Sequence, residues 1–170
     1  MANDAEVKTD FTILDRVLND GMFSGAPYVK IGILGSSTSR KIKANKREVA
    51  TNAAIGFKNE FGSVSEHIPA RSFLQMPIKL KFNEYMAKSE KLNKAAFEKA
   101  LKEGTLFKFM TLMGINGEKC VLDAFATRGF GKWKPNSPKT VALKGSDSPL
   151  IDTGEMRKSI TSSVENVKKK

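Results

Sequence analysis

The chain has 170 residues, 29 of them Lys or Arg and 18 Asp or Glu, for a formal charge of +11. Hydrophobic residues make up 40%, with eleven Phe, enough for one folded domain with a respectable core. No run of about 18 apolar residues exists, which excludes an ordinary membrane span; the lone Cys120 and lone His67 exclude an intrachain disulfide and a zinc site of about four nitrogen or sulfur ligands.

From the N-terminus, residues 1–25 read as an arm or short helix. Asp10 is a candidate cap, and Ile13, Leu14, Val17 and Leu18 form a stripe that Gly21, Gly25 and Pro27 break. No basic region followed by an apolar core occurs there, so no secretory signal is expected. Residues 26–170 read as a single domain. Tyr28 to Leu34 alternates, with Val29, Ile31 and Ile33 on one side, and predicts a strand. The basic cluster Arg40, Lys41, Lys43, Lys46 and Arg47 follows in a loop. Ala50, Ala53, Ala54, Phe57 and Phe61 recur at helical spacing and predict a narrow, small-residued buried face over about 46–61, ended by Gly62. Ser63 to Pro77 reads as extended or looped, since Pro69 and Pro77 lack the donor that a helix interior or central strand needs.

A long helix is expected over about 80–102 and a second over about 106–127, with the stripe Leu106, Phe109, Met110, Met113, Val121 and Ala124. Gly114 and Gly117 interrupt that second helix at about 1 kcal/mol each relative to Ala, marking a kink or a close helix crossing. Ser137 to Leu143 predicts a short helix. Ser159 to Val167 predicts a final strand, with Ile160 and Val164 on one side.

Several patterns invite a chemical reading. Leu150-Ile151-Asp152-Thr153-Gly154 matches an aspartic-protease pattern, but that chemistry needs two carboxylates sharing a proton. A subunit of the retroviral type also carries most of its fold after the motif, and only 16 residues follow Gly154. Asp152 as N-cap with Glu155 three positions on is the competing reading, an Asp form of the capping box. His67, in a loop before Pro69, has no spacing relation to Cys120 or to a Ser that selects a nucleophile–base pair. Gly32-Ile33-Leu34-Gly35 and Gly129-Phe130-Gly131 read as turns, because no further nucleotide-loop residues follow either. No catalytic, cofactor-binding or metal-ligating residue is therefore assigned.

Trp133 before Pro135 fits either a peptide platform or, preferably, packing over a core edge, where an indole covers about 200 Å². Arg71, among Ile68, Phe73 and Leu74, is placed either for a bidentate contact to a carboxylate of a partner or for an intrachain pair with Glu60. The charge of +11 favours a polyanion or an acidic protein as partner. The basic clusters lack interleaved aromatics, which argues against reading of nucleic-acid sequence.

Two segments carry a resemblance. Asn59-Glu60-Phe61-Gly62 with Ile68-Pro69-Ala70-Arg71-Ser72-Phe73-Leu74, followed by Trp133-Lys134-Pro135-Asn136-Ser137, Thr140, Lys144 and Leu150-Ile151-Asp152-Thr153-Gly154 to Ile160, resembles the virion-morphogenesis and tail-completion family of tailed bacteriophages. The likeness runs from about residue 28 onward, and departs from the usual pattern at Ser72, where Pro is common, and at Asn136, where Leu is common. It implies an α+β fold, with a small antiparallel sheet of strands from both chain ends packed against two or three helices. It further implies a non-enzymatic neck subunit in a homo-oligomeric ring, commonly a hexamer, between a head connector or stopper and a tail terminator or tail tube. The location implied is the virion, and the host cytoplasm during assembly. On this reading Glu60, Arg71 and Phe73 are expected at or beside a subunit interface, and the basic loop is expected to face DNA or an acidic neighbour. Trp133, Pro135, Asp152, Gly154 and Glu155 are expected to be structural. A basic nucleic-acid-binding protein is the alternative.

Overall fold

The computed structural model describes residues 27–34 and 51–166. The expected arm, the basic cluster Arg40, Lys41, Lys43, Lys46 and Arg47, and the terminal lysines lie outside the described residues. Strand β1 (Pro27–Ile33) pairs antiparallel with β2 (Ile160–Asn166), with Pro27 opposite Asn166 and Ile33 opposite Ile160. The sheet thus joins strands from opposite ends of the described chain. Two strands alone are marginal in water, and their alternation places Val29, Ile31 and Ile33 on the same face as Val164, Ser162 and Ile160.

Between the strands run six helices among the described residues: α1 (Asn52–Phe61), α2 (Gln75–Ala87), α3 (Lys94–Lys102), α4 (Leu106–Ala126), α5 (Pro138–Lys144) and α6 (Glu155–Lys158), with a 3₁₀ turn at Glu90–Leu92. The apolar sheet face lies on α4, and the two glycines of that helix make the contact possible. A methyl on Gly114 would stand 2.7 Å from Ser162 Oγ and 3.2 Å from Val29 Cγ1, and one on Gly117 would run into Ile31 Cδ1. The glycines therefore serve a helix-on-sheet approach, not a kink or a helix crossing. One turn on, Glu118 Oε1 accepts from both the N–H and the hydroxyl of Ser162, each at 2.6 Å, and ties β2 to α4.

Three helical expectations are corrected. The single helix over 80–102 is two: the first ends at Ala87, and Asn93 caps the second, its Oδ1 accepting from Ala96 N at 2.8 Å while its Nδ2 donates to Glu90 O at 2.8 Å. A side chain that bonds its own backbone competes with continuing the helix. Helix α2 begins at Gln75, ahead of Pro77, since a proline in the first turn withholds a donor the helix does not use. Helix α1 buries Asn52, Gly56 and Glu60, whereas Phe57 and Phe61 are 67% and 55% exposed. Ile33 and Phe73 press on Gly56, where an added Cβ would lie 2.9 Å and 3.2 Å from them. No larger residue fits that contact, and it sets which face turns inward.

The main core joins Phe73, Val121, Ala124, Phe125, Trp133, Met156 and Ile160. Leu92, Ala100 and Phe109 form a smaller cluster under α3. No helix among the described residues is long and apolar enough to cross a membrane.

Candidate functional site

The two segments that carry the resemblance meet in space, and the contact is built from Glu60 outward. Glu60 is 8% exposed at the end of α1. Its Oε2 accepts from Phe73 N (2.8 Å) and Leu74 N (2.9 Å), and its Oε1 from Gln75 N (3.0 Å) and Ser72 Oγ (2.6 Å). A carboxylate thus satisfies the otherwise orphaned donors at the start of α2, where a helix favours negative charge. Ser72 completes the cap, since its Oγ also accepts from Met76 N at 2.9 Å. The departure from Pro at this position therefore has a structural use.

Arg71, also 8% exposed, is held within the chain, but not by the expected pair with Glu60. Its Nε donates to Lys134 O at 2.8 Å and its second guanidinium nitrogen to Pro135 O at 2.9 Å. Desolvation holds its pKa below the ordinary arginine value. The forked donor set thus binds two successive backbone carbonyls, and Glu60 is not its partner. Trp133 packs as expected over the core, edge-on to Phe125 with centroids 5.6 Å apart, and its Nε1 donates to Ser72 O at 3.0 Å. The chain reaches that position through a run of positive φ from Arg128 to Gly131, and the Gly129 backbone lies so close to the indole that a Cβ there would enter the ring.

Glu60, Arg71 and Phe73 are thus brought together but point inward, and Phe73 is 3% exposed. The hydrogen bonds that Glu60 and Arg71 make here fall within the chain and form an internal latch. The capping box at Asp152 is also corrected. Helix α6 starts after Gly154, whose φ of 77° suits glycine, and has no side-chain cap; Asp152 is exposed. Thr153 Oγ1 accepts from Glu155 N at 3.4 Å instead.

Around the latch lies an open groove of about 1110 Å³. Ile55 and Asn59 of α1 and the Ser63–Ile68 turn form one wall. Lys134, Pro135 and the segment from Asp152 to Met156 form the other, so Pro135, Asp152, Gly154 and Glu155 are all groove residues. His67 is exposed in that turn with φ 53°. Ionisable side chains of both signs, among them Glu66, Lys134, Lys144 and Asp152, surround apolar Ile55, Ile68, Leu150 and Met156. Such a lining suits a polypeptide better than a polyanion.

Other reactive groups lie elsewhere. Cys120 is fully buried, donates to Pro77 O at 3.4 Å, and is pushed up to about 11 by burial, with Asp123 adding to the effect. Tyr85 is raised by burial and then by its hydrogen bond to Asp123 Oδ2 at 2.6 Å. Among the described residues no group of three or more His, Cys, Asp or Glu is arranged to hold a metal ion. The roles of Glu60 and Glu118 were missed in the sequence because each binds backbone donors 12 or more positions away, beyond any local motif. Comparison with family models, with curated proteins and with solved structures returns no match.

Proposed function

We propose that the chain is a structural subunit of a tailed-phage neck, completing the tail and joining it to the head connector as part of a homo-oligomeric ring. One observation supports this reading most. The separate segments on which the resemblance rests form the two walls of a single groove and are locked together by Arg71 on Lys134 and Pro135. The pairing of β1 with β2 on a long helix agrees with the α+β arrangement that the resemblance implies. No catalytic step is assigned to the groove.

The charge of +11 favours a second reading, a basic nucleic-acid-binding protein. Size-exclusion chromatography with a salt-titrated DNA-binding assay separates the two. The neck reading expects a discrete ring with weak DNA binding. A monomer whose DNA affinity falls steeply with salt would replace it with the second.

A further inference from the structure

The face that α4 turns to the sheet is longer than the sheet. Phe107, Met110, Gly114, Gly117 and Val121 recur at three- and four-residue steps, which sets them along one side of the helix. A Cβ on Gly114 would meet Val29, and one on Gly117 would meet Ile31, so α4 and β1 run in the same direction. Phe107 lies seven residues ahead of Gly114, about 10 Å along the helix. Strand β1 starts at Pro27, two residues ahead of Val29 and only about 7 Å along the strand. The sheet thus ends short of Phe107, which is 53% exposed, and Ile115 on the adjoining flank is 52% exposed. Thr111 lies between them, one helical turn from each, and is exposed. Lys108 and Lys119, also exposed, edge this flank, and neither has an acidic partner among the described residues. The carboxylates of α4, Glu118 and Asp123, are engaged by Ser162 and Tyr85.

We infer that this end of α4 is the docking surface for the chain's own N-terminal segment, residues 10–23. The segment joins β1 at Pro27, at the end of the sheet where Phe107 is left uncovered. Its sequence matches the surface in two ways. Ile13, Leu14, Val17 and Leu18 supply an apolar stripe, and Gly21 and Gly25 supply the turn that brings it back onto α4. Residues 1–26 hold five acidic and two basic residues, a net of −3, whereas residues 27–170 hold a net of +14. The nine steps from Leu18 to Pro27 span up to about 30 Å when extended, enough to reach Ile115. Residues 167–170 leave the sheet at the same end, since Asn166 pairs with Pro27, but their three lysines are repelled by Lys108. Phe107 and Ile115 together expose about 200 Å² of side chain, far less than the roughly 1,200 Å² that a stable complex of separate molecules buries. A tethered segment needs less, because it meets the surface at an effective concentration in the millimolar range. The occupant is therefore the segment already attached, and the inference is independent of the neck reading.

Thiol labelling of the full chain tests it. Thr111→Cys puts a thiol in the middle of the flank, and the native Cys120 is buried and slow to react. The new thiol is expected to react at least about tenfold faster once Leu14→Asp and Leu18→Asp break the apolar stripe, at a rate independent of protein concentration. Conversely, Phe107→Asp is expected to speed tryptic cleavage after Arg16, read by mass spectrometry, by a similar factor, with circular dichroism verifying that each variant folds. Equal labelling rates with and without the two aspartates would overturn the inference. So would protection that develops only as protein concentration rises, which would assign the surface to a second copy. Unchanged cleavage after Arg16 in folded Phe107→Asp would overturn it as well. Neither readout involves the groove or a ring, so the neck reading stands or falls separately.

Discussion

Glu60 shows how one side chain organises a loop. It accepts four hydrogen bonds from consecutive residues 72–75 and lies between the end of α1 and the start of α2. Hydrogen bonds to a charged group contribute about 1.5–3 kcal/mol each, and a buried donor left unpaired costs a similar amount. Glu60→Ala is expected to lower the unfolding free energy by about 3 kcal/mol in urea titrations, with Glu60→Gln intermediate. A loss below about 1 kcal/mol would mean that water replaces the carboxylate. Arg71→Lys removes the planar fork that spans two carbonyls, so a loss of about 2 kcal/mol is expected despite retained charge. Asp152→Ala, by contrast, should stay within about 0.5 kcal/mol of wild type, because the residue is exposed and caps no helix.

At the scale of elements, the contact between α4 and the sheet depends on what is missing from Gly114 and Gly117. In an exposed helix, alanine would be the better residue by about 1 kcal/mol. At Gly114 the added methyl meets Ser162 at 2.7 Å, close to the atoms that hold Glu118. Overpacking of this kind costs about 1–3 kcal/mol. Gly114→Ala is therefore expected to lower the denaturation midpoint, and an increase would show that the sheet can move away from α4. The start of α3 is capped separately: Asn93→Ala removes that cap and should cost about 1 kcal/mol.

For the molecule as a whole, the informative titrations are alkaline. Tyr85 is raised from 10.0, and Cys120 is raised from 9.0 to about 11. Both groups bind their protons more tightly in the folded state than in the unfolded one. Their contribution is complete below the unfolded values and is lost as pH rises through the folded ones. Thermal stability is accordingly expected to fall between pH 9 and 11, with the Cys120 share absent in Cys120→Ala. A profile flat across that range in wild type would show that water reaches these groups. The same burial predicts slow reaction of Cys120 with thiol reagents until the chain unfolds.

Local patterns were enough to read both strands, the long α4, the short α5 and the C-cap at Gly62, because alternation, helical period and capping are short-range properties. They were also enough to place Trp133 over the core. The buried face of α1 was not legible, since sequence marks Phe57 and Phe61 as the apolar choice while the space left by Ile33 and Phe73 admits only Gly56. Nor were the partners of Glu60 and Arg71 legible, because those bonds join residues 12 to 64 positions apart. What the amino-acid order determined by itself was the two strands and the helices α4 and α5. What tertiary structure alone decided was which helix face turns inward, and hence that the two separated segments share a groove while two phenylalanines remain exposed.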